Sequence, residues 1–382
     1  MSGADFEVIF FHPNFSDGGV ERTNIFLSKA ALEVGIDVSF LTTKISGHFK
    51  DEVDALGIPV IELGPAPTSR HIISLVRFLK KRAGERNIIF ISCQYYVGTI
   101  SAIVSRLLTK RTRQRIAFVH SERNHPSELI INGGFKNRIV NSLFPILYRS
   151  SDAVIANSEE TATDLSKMLG RPVIAIHNPT INSRLDALKA LPIDETWFPQ
   201  DGQPFIMGCG RFSHQKGFDV LVDAFAKIAK QWSGRLIIAG DGPLKSEIWQ
   251  RAVAHGLHDR VIFPGHVGNP YKFLARADLF ILSSRYEGLP NVLIAALYVG
   301  TPSLATACKS GPREILLDGE CGLLVPVDDP ETMAAGALTI LQTPGGRKPS
   351  QSSLPRSLER FHYAQVADEF RDFLEGVSKH LL

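Results

Sequence analysis

The sequence predicts an α/β protein built from two doubly wound, Rossmann-like domains, and three observations support this prediction. Short apolar runs rich in Val, Ile and Phe alternate with longer segments of helical spacing along the chain. Continuous apolar strands that alternate with helices are typical of parallel sheets covered on both faces. The series occurs twice, on either side of a proline-rich break, and 382 residues suffice for two domains of ordinary size.

The first series predicts an N-terminal domain over residues 1–180. Its strand candidates are EVIFFHP, DVSFLTT, PVIELG, NIIFISC, RIAFVH, DAVIANS and PVIAIHN. Segments such as VERTNIFLSKAALEV and SEETATDLSKML separate most of them and place apolar residues at helical spacing. After this series, PTINSRLDALKALPIDETWFPQDGQP holds four prolines and no clear strand. We interpret residues 181–204 as an interdomain linker.

The second series predicts a C-terminal domain over residues 205–358. Its strand candidates are FIMGCGR, RLIIAGD, VIFPG, LFILSS, TPSLAT and GLLVP. A polar stretch, TPGGRKPSQSSLPRS, ends this domain. The tail at 359–382 contains YAQVADEFRDFLEGVSKHLL, whose apolar spacing predicts an amphipathic helix.

Composition and charge disfavour several classes of protein. The net charge of +3 is too small to indicate nucleic-acid binding, and no apolar run reaches the ~18–20 residues of a membrane span. The N-terminus MSGADFEVIFF does not resemble a secretory signal. The scattered cysteines form no CxxC pair, which predicts reduced thiols, a cytoplasmic location and no structural zinc; they are Cys93, Cys209, Cys308 and Cys321.

A candidate diphosphate site lies in IMGCGRFSHQKGFDVLVDAF. Arg211 ends a strand, and Lys216 stands at the start of the next helix. An arginine can bind a phosphate through two parallel hydrogen bonds, and a lysine adds a point charge. The chain has no D-x-D pair and no GxxxxGK[ST] motif, so these two cations would neutralise a diphosphate without a metal. The alternative is a pair of solvated cations beside a loop.

Two further turns follow predicted strands. In SRYEGLPNVLIAALYVGTP, Gly288 and Pro290 predict a turn that projects Glu287 from the carboxyl end of a strand, where open parallel sheets bind ligands. The alternative is a carboxylate that interacts only with a helix dipole. In FFHPNFSDGGVER, Gly18 and Gly19 open a helix and would let the backbone approach an anion, although a plain turn explains them equally well.

A histidine and a basic run complete the candidates. His120, in AFVHSERNHPSE, follows a buried strand and is either structural or catalytic; Glu122 and Arg123 compete for any role in this loop.

The run LLTKRTRQR predicts either a solvated helix end or contact with an anionic membrane surface, at ~1 kcal/mol per basic residue. The residues that would make this contact are Lys110, Arg111, Arg113 and Arg115.

In combination, these motifs resemble glycosyltransferase family 4, the retaining nucleotide-sugar transferases of GT-B fold. The resemblance covers nearly the whole chain, and it extends to bacterial members that act on lipid-linked or surface glycans. Its carriers are SDGGVER, ANS at 156–158, HNP at 177–179, GRFSHQKG at 210–217, AGDGPL at 239–244, FPGHV at 263–267, SRYEGLPNVLIAALYVGTP at 284–302 and GLLVPVDDPE at 322–331. The family implies two Rossmann-like domains that face each other across a cleft, with a C-terminal helix that crosses back to the first domain.

The resemblance also implies roles for individual residues. Arg211 and Lys216 would hold the diphosphate of the donor, Glu287 would orient the donor sugar, and His120 best matches the family's histidine beside that sugar. These four are the predicted catalytic residues. The predicted substrate-binding residues are Gly18, Gly19, Val267, Gly288, Leu289, Asn291 and Val292.

One position departs from the family pattern. The family commonly has a second glutamate eight positions after the first, which bonds the ribose hydroxyls, and this chain has Ala295 there. A charge-assisted hydrogen bond is worth ~1.5–3 kcal/mol, so its absence would weaken donor binding by roughly 10- to 100-fold if nothing replaced it. Replacement by another residue or water, an engineered inactivating substitution and a pseudo-enzyme all remain open.

These observations predict a metal-independent, retaining glycosyltransferase that needs no cofactor. It would move a sugar from a nucleotide-diphosphate donor, a UDP-sugar, to a glycan or lipid-linked glycan. We expect no nucleic-acid partner. We expect a cytoplasmic location; if the basic run binds anionic lipids, the protein would lie on the inner face of the plasma membrane. The alternatives are a protein of this fold that binds nucleotide sugar without turnover, and a phosphorylase or epimerase of the same fold.

Overall fold

The computed structural model describes residues 5–14, 19–45, 49–64, 66–123, 145–149, 151–199, 201–343 and 353–381. The chain divides into two compact units. The first unit comprises Met1–Pro179 with Tyr363–Leu382, and the second comprises Thr180–His362. Both are α/β, so the predicted class of secondary structure is confirmed.

The first unit contains a parallel sheet of seven strands in the order β3-β2-β1-β4-β5-β6-β7. The strands are β1 (Phe6–His12), β2 (Asp37–Thr42), β3 (Val60–Glu62), β4 (Asn87–Cys93), β5 (Ile116–Glu122), β6 (Ala153–Ala156) and β7 (Ile174–Ala175). The helices before residue 180 include α1 (Gly19–Leu32), α2 (Phe49–Ala55), α3 (Thr68–Glu85), α4 (Tyr95–Leu107), α5 (Lys110–Arg113) and α6 (Glu159–Leu169). The strand order reverses between β1 and β4, which is the point where doubly wound sheets bind ligands.

Alternation along β1 shows how this sheet is covered on both faces. Val8 and Phe10 belong to one core cluster, whereas Ile9 and Phe11 belong to another. Successive side chains of a strand point to opposite faces, so a continuous apolar run requires apolar cover on both. Helices α3 and α4 supply the cover over Ile9 and Phe11.

The C-terminal helix provides part of the cover on the other face of the first sheet. This helix is α15 (Tyr363–Ser378), the last helix of the chain. Its Phe370 packs against Phe10 of β1, with ring centroids 6.3 Å apart. Arg371 donates a hydrogen bond of 3.0 Å to the carbonyl of Ala30 and pairs with Glu33 at 2.7 Å. The tail therefore completes the core of the first unit.

The second unit contains a parallel sheet of six strands in the order β10-β9-β8-β11-β12-β13. The strands are β8 (Phe205–Cys209), β9 (Arg235–Ala239), β10 (Val261–Gly265), β11 (Leu279–Leu282), β12 (Ser303–Thr306) and β13 (Leu323–Val325). Its described helices are α7 (Ser183–Lys189), α8 (Phe218–Ile228), α9 (Lys245–Ala254), α10 (Tyr271–Leu274), α11 (Asn291–Tyr298), α12 (Pro312–Leu316), α13 (Pro330–Gln342) and α14 (Ser353–Leu358). The strand order reverses between β8 and β11, which become neighbours.

Residues 181–204, which the sequence analysis interprets as a linker, pack instead onto the second unit. Ile181 and Leu185 are each 1% exposed and belong to its core. Trp197 packs against Phe273 with ring centroids 4.9 Å apart. Ile181 and Leu185 are four residues apart, as on one face of a helix, and helix α7 carries Leu185 into the core. The unit therefore begins at Thr180 rather than at 205.

Candidate functional site

Polar residues collect at the carboxyl ends of the strands in both units. Parallel sheets place ligands at this edge, where the loops that follow successive strands meet. The loops after β8 and β11 carry most of the predicted site in the second unit. In the first unit the corresponding residues follow β1, β4 and β5.

The loop after β8 is held closely against the end of β11. It forms a short 3₁₀ turn over His214–Lys216, followed by Gly217 at φ +60°. A Cβ on Gly217 would lie 2.2 Å from the carbonyl oxygen of Ser283, so any side chain there would collide with the backbone. The hydroxyl of Ser283 donates a 2.8 Å hydrogen bond to the carbonyl of Lys216. These contacts fix the position of Lys216.

The structure brings Lys216 and Glu287 together although they lie 71 positions apart in the sequence. The Lys216 Nζ lies 2.6 Å from Glu287 Oε1, and the Ser284 hydroxyl donates to the same oxygen at 2.6 Å. The side chains of the lysine and the glutamate are 19% and 6% exposed. A buried ion pair of this kind leaves a costly unpaired charge if either member is removed.

Arg211 lies beside this pair but, unlike Lys216, is not part of an ion pair with a described residue. A Cβ on the preceding residue, Gly210, would lie 3.2 Å from the Lys216 Cε, so the lysine side chain runs along the backbone next to Arg211. Arg211 is exposed, and its side chain forms no hydrogen bond or ion pair with any described residue. Its guanidinium is therefore available for an anionic ligand.

The turn after Glu287 is shaped by the segment that follows β12. The amide of Glu287 donates to the carbonyl of Lys309 at 2.6 Å, and the Ser310 hydroxyl donates to the carbonyl of Gly288 at 2.8 Å. Gly311 has a φ of +93°, and a Cβ there would lie 2.7 Å from Pro290. Within the described chain, the amides of Gly288 and Leu289 have no hydrogen-bond acceptor, which suits them to an anion.

The other predicted residues of the second unit occupy different environments. Helix α11 begins at Asn291, whose amide oxygen accepts a 3.2 Å hydrogen bond from Thr180, and Val292 is half-buried. Val267 is half-buried and packs against the core. Ala295 is 0% exposed and belongs to that core, so its methyl group takes part in apolar packing.

Arg285 is a component of this site that sequence reasoning missed. Its guanidinium pairs with Asp219 at 2.7 Å and with Asp328 at 2.7 Å, and it donates to the carbonyl of His214 at 2.8 Å. Its amide donates to the carbonyl of Gln215 at 2.7 Å. Arg285 thereby joins the loop that carries Lys216 to the turn that carries Glu287. The one available signal was its position two residues before that glutamate.

In the first unit, the glycine pair is only partly described. Gly18 lies outside the described residues. Gly19 begins α1, and its carbonyl accepts a 2.8 Å hydrogen bond from the Thr23 hydroxyl. The predicted approach of this glycine to a diphosphate remains a prediction.

The structure argues against the catalytic role predicted for His120. Its ring is 0% exposed, stacks on Tyr148 at a centroid distance of 4.0 Å, and bonds through Nδ1 to the Ser92 hydroxyl at 2.5 Å. Burial, with smaller effects from Arg171 and Arg106, lowers the pKa of His120 to about 3. The ring is therefore neutral and covered, because the end of β5 lies beneath neighbouring side chains rather than at the surface.

Glu122 and Arg123, the other two candidates at this strand end, are buried and have shifted pKa values. Glu122 is 3% exposed, and the hydroxyl of Tyr148 donates to its carboxylate at 2.6 Å. Burial raises the pKa of Glu122 to about 7, although that hydrogen bond and the charge of Arg123 act in the opposite direction. Arg123 is 6% exposed, and burial lowers its pKa to about 10. The carboxyl end of β5 therefore holds two buried ionisable groups with perturbed pKa values, which is typical of functional sites.

Among the residues that the structure describes, no group of three or more His, Cys, Asp and Glu side chains is arranged to hold a metal ion. No helix in these parts of the chain has both the length and the apolar composition that a membrane span requires.

Comparisons with known proteins identify the family. A model of Glycosyltransferase Family 4 matches residues 17–182, and a model of Glycosyl transferases group 1 matches residues 203–343. A relative from Campylobacter jejuni, the N-acetylgalactosamine-N,N'-diacetylbacillosaminyl-diphospho-undecaprenol 4-alpha-N-acetylgalactosaminyltransferase, is 28% identical over 72% of this chain and 73% of its own length. The lipopolysaccharide core biosynthesis glycosyltransferase LpsE of Rhizobium meliloti is 32% identical over 62% of this chain and 65% of its own length.

Solved structures show the same fold. Anabaena Alr3699/HepE, in complex with UDP-glucose, has a TM-score of 0.81 at 21% identity and matches 97% of this chain and 99% of its own. Sucrose-phosphate synthase from Thermosynechococcus elongatus has a TM-score of 0.72 at 20% identity and matches 97% of this chain and 98% of its own. The predicted GT-B fold class is thereby confirmed. The chain therefore belongs to glycosyltransferase family 4, and the protein is a glycosyltransferase of GT-B fold.

Proposed function

We propose that this protein transfers a sugar, with retention and without a metal ion, from a UDP-sugar to a glycan or lipid-linked glycan. The observation that carries the proposal is the Lys216–Glu287 pair, 2.6 Å apart, beside the unpaired and exposed Arg211. This arrangement supplies two cations for a diphosphate and one carboxylate for sugar hydroxyls. The names of two similar proteins agree with it, since one refers to a diphospho-undecaprenol acceptor and the other to bound UDP-glucose.

The proposed mechanism follows from these charges. Cleavage of the bond between the anomeric carbon and the diphosphate oxygen leaves negative charge on that oxygen. Lys216, Arg211 and the amides of Gly288 and Leu289 would stabilise this charge, as preorganised groups aimed at developing charge do. The acceptor hydroxyl would attack on the face that the diphosphate leaves and pass its proton to a phosphate oxygen. Glu287 would orient the sugar rather than form a covalent bond with it.

Donor binding is the first step to test. A ligand that binds only the folded state stabilises it by ~2.7 kcal/mol at 100 times its Kd, which raises the melting temperature by several degrees. We expect UDP-sugars to raise it in a thermal-shift screen of nucleotide sugars. Uridine, which has no phosphates, is the matched control and should give a smaller shift. The proposal is wrong if no nucleotide sugar shifts the transition.

A second candidate function is a protein that binds nucleotide sugar without turnover, and Ala295 is the observation that favours it. The position where the family commonly has a ribose-binding glutamate is 0% exposed and apolar here. Calorimetry with UDP and a transfer assay separate the two candidates. Tight binding without sugar release to any acceptor favours the second, whereas transfer of labelled sugar favours the first.

Attachment to an anionic membrane is a further part of the proposal, and the structure narrows the residues that would make it. Lys110 and Arg111 are exposed. Arg113 instead pairs with Asp152 at 2.7 Å, and Arg115 donates to the side chain of Asn87 at 3.0 Å. The first two residues therefore remain available to lipid headgroups, whereas the other two already have partners in the first unit.

Charge reversal at Lys110 and Arg111 should release the protein from vesicles that contain phosphatidylglycerol. Each basic residue near such a surface contributes ~1 kcal/mol, so the double glutamate variant should lose at least roughly 30-fold in vesicle affinity, measured by sedimentation. The matched control is Lys227→Glu on α8 with Lys230→Glu in the turn after it, which makes the same change of charge in the second unit. Equal losses in both double variants, or no loss in the first, would contradict membrane contact at this helix.

A further inference from the structure

Arg123 is a buried cation whose hydrogen-bond partners are all neutral. It follows β5 and is 6% exposed. Its Nε donates to the Ser121 hydroxyl at 3.0 Å, and its two terminal nitrogens donate to the side-chain oxygens of Asn178 at 3.0 Å and Asn24 at 3.5 Å. Among the described residues, no carboxylate forms an ion pair with it. A buried charge normally has a charged partner, so this arrangement calls for an anion.

No nearby carboxylate of the described residues forms a hydrogen bond or an ion pair with the Arg123 guanidinium. Glu122 acts on it only through its charge; burial raises the pKa of Glu122 to about 7, and its carboxylate accepts a hydrogen bond from Tyr148 instead. Burial, with a smaller effect from Arg123, lowers the pKa of His12 to about 3, so that ring is neutral. Glu21 accepts a 3.3 Å hydrogen bond from Gln94.

A second observation at the same sheet edge points to a ligand. Asn157 follows β6, is 2% exposed, and donates from its amide nitrogen to the carbonyl of Arg123 at 3.2 Å. Its side-chain oxygen is buried and accepts no hydrogen bond from the described chain. A buried acceptor without a donor is uncommon and fits a ligand hydroxyl. The backbone of Arg123 is therefore in contact with a side chain that carries a buried acceptor of the kind that a sugar would use.

We propose that Arg123 binds a phosphate oxygen of a substrate, and that Asn157 accepts a hydrogen bond from a neighbouring substrate hydroxyl. A guanidinium has five N–H donors, and three are used in the contacts above, so two remain for an oxyanion. The inference rests on the proposed function, which supplies two sources of phosphate. One is the diphosphate of the donor, and the other is a phosphate on a lipid-linked acceptor.

The experiment compares Arg123→Gln and Arg123→Lys with the wild type by calorimetry, using UDP as the donor probe and farnesyl diphosphate as the acceptor probe. We expect Arg123→Gln to bind one or both probes 10- to 100-fold more weakly, and Arg123→Lys to restore part of the loss. A loss for UDP assigns the site to the donor, and a loss for farnesyl diphosphate assigns it to the acceptor.

Arg82→Gln is the matched control, because Arg82 lies in the same unit but pairs with a carboxylate, that of Glu7 at 2.7 Å. This variant should keep its affinity for both probes and melt at a lower temperature. Arg123→Gln should melt at or above the wild-type temperature without ligand, since it removes a buried charge that forms no ion pair with a described carboxylate.

The outcomes separate this inference from the proposed function. If the wild type binds UDP but Arg123→Gln binds both probes as the wild type does, Arg123 is structural and the inference alone is overturned. If the wild type binds neither probe and transfers no sugar, the proposed function fails and the inference fails with it.

Discussion

Replacement of Lys216 by alanine is expected to slow sugar transfer by about 10²–10³-fold, the usual effect of removing one preorganised group from the charge that develops in a transition state. The ammonium lies 2.6 Å from Glu287, whose side chain is 6% exposed. The alanine variant therefore loses one of the two cations proposed to bind the diphosphate and leaves the glutamate without its partner. Addition of Arg211→Ala should lower the rate further, because it removes the second cation.

The measurement is kcat and KM for the UDP-sugar found in the thermal-shift screen, with circular dichroism to verify folding. A loss concentrated in kcat indicates a role in the transition state, whereas a loss in KM alone indicates ground-state binding. Lys227→Ala is the matched control, since Lys227 also pairs with a glutamate, Glu331, but on α8 and α13. It should leave both constants unchanged. Unaltered turnover in the Arg211→Ala, Lys216→Ala double variant would disprove the mechanism.

Replacement of Arg285 by alanine is expected to destabilise the second unit by ~2 kcal/mol, because it breaks two ion pairs whose arginine side chain is only 14% exposed. The estimate is below that for a fully buried pair because Asp219 and Asp328 are 32% and 54% exposed. KM for the donor should rise in the same variant, since Arg285 holds the backbone at His214 and Gln215, next to Lys216. Arg285→Lys should recover little, because an ammonium cannot replace a planar fork of donors.

The stability difference between wild type and Arg285→Ala should depend on pH. Burial alone would raise the pKa of Asp219, but the hydrogen bonds and charge of Arg285 outweigh it and hold this pKa below its ordinary value. A depressed carboxyl pKa stabilises the folded state above the unfolded value of ~3.9, and this stabilisation is lost as the pH falls through the folded value. Urea unfolding should therefore show the full difference at pH 7 and a smaller one below pH 4. A constant difference, or an unchanged donor KM, would contradict the role of Arg285 in positioning the loop.

Much of the fold was predictable because its signals are local. Each strand candidate of the sequence analysis contains a strand in the structure, since short apolar runs that alternate with helices form parallel sheets, and β1, for example, is buried along its whole length. Residues 181–204 are an exception, since the sequence predicts a linker there and the structure packs the segment onto the second unit. Ile181 and Leu185 are spaced as on a helix, but the segment is proline-rich and largely polar, and only the second core reveals that both residues are needed there.

The site was predictable as a set of residues but not as a set of contacts. Turn glycines and cations after strands marked Arg211, Lys216 and Glu287. The bond between the last two depends on β8 and β11 being neighbours, although β9 and β10 lie between them in sequence. Arg285 escaped notice because its partners are distant along the chain.

By itself, the sequence determined the family, the alternation of strands and helices, and the loops at which charged residues occur, because these follow from the order of residue types along the chain. Tertiary structure alone decided which of those charges have partners. It covers His120 with Tyr148, pairs Lys216 with Glu287, and leaves Arg123 buried among neutral oxygens. The reason is physical: the state of an ionisable group depends on its desolvation and on the charges within a few ångströms, and both are set by segments remote in sequence.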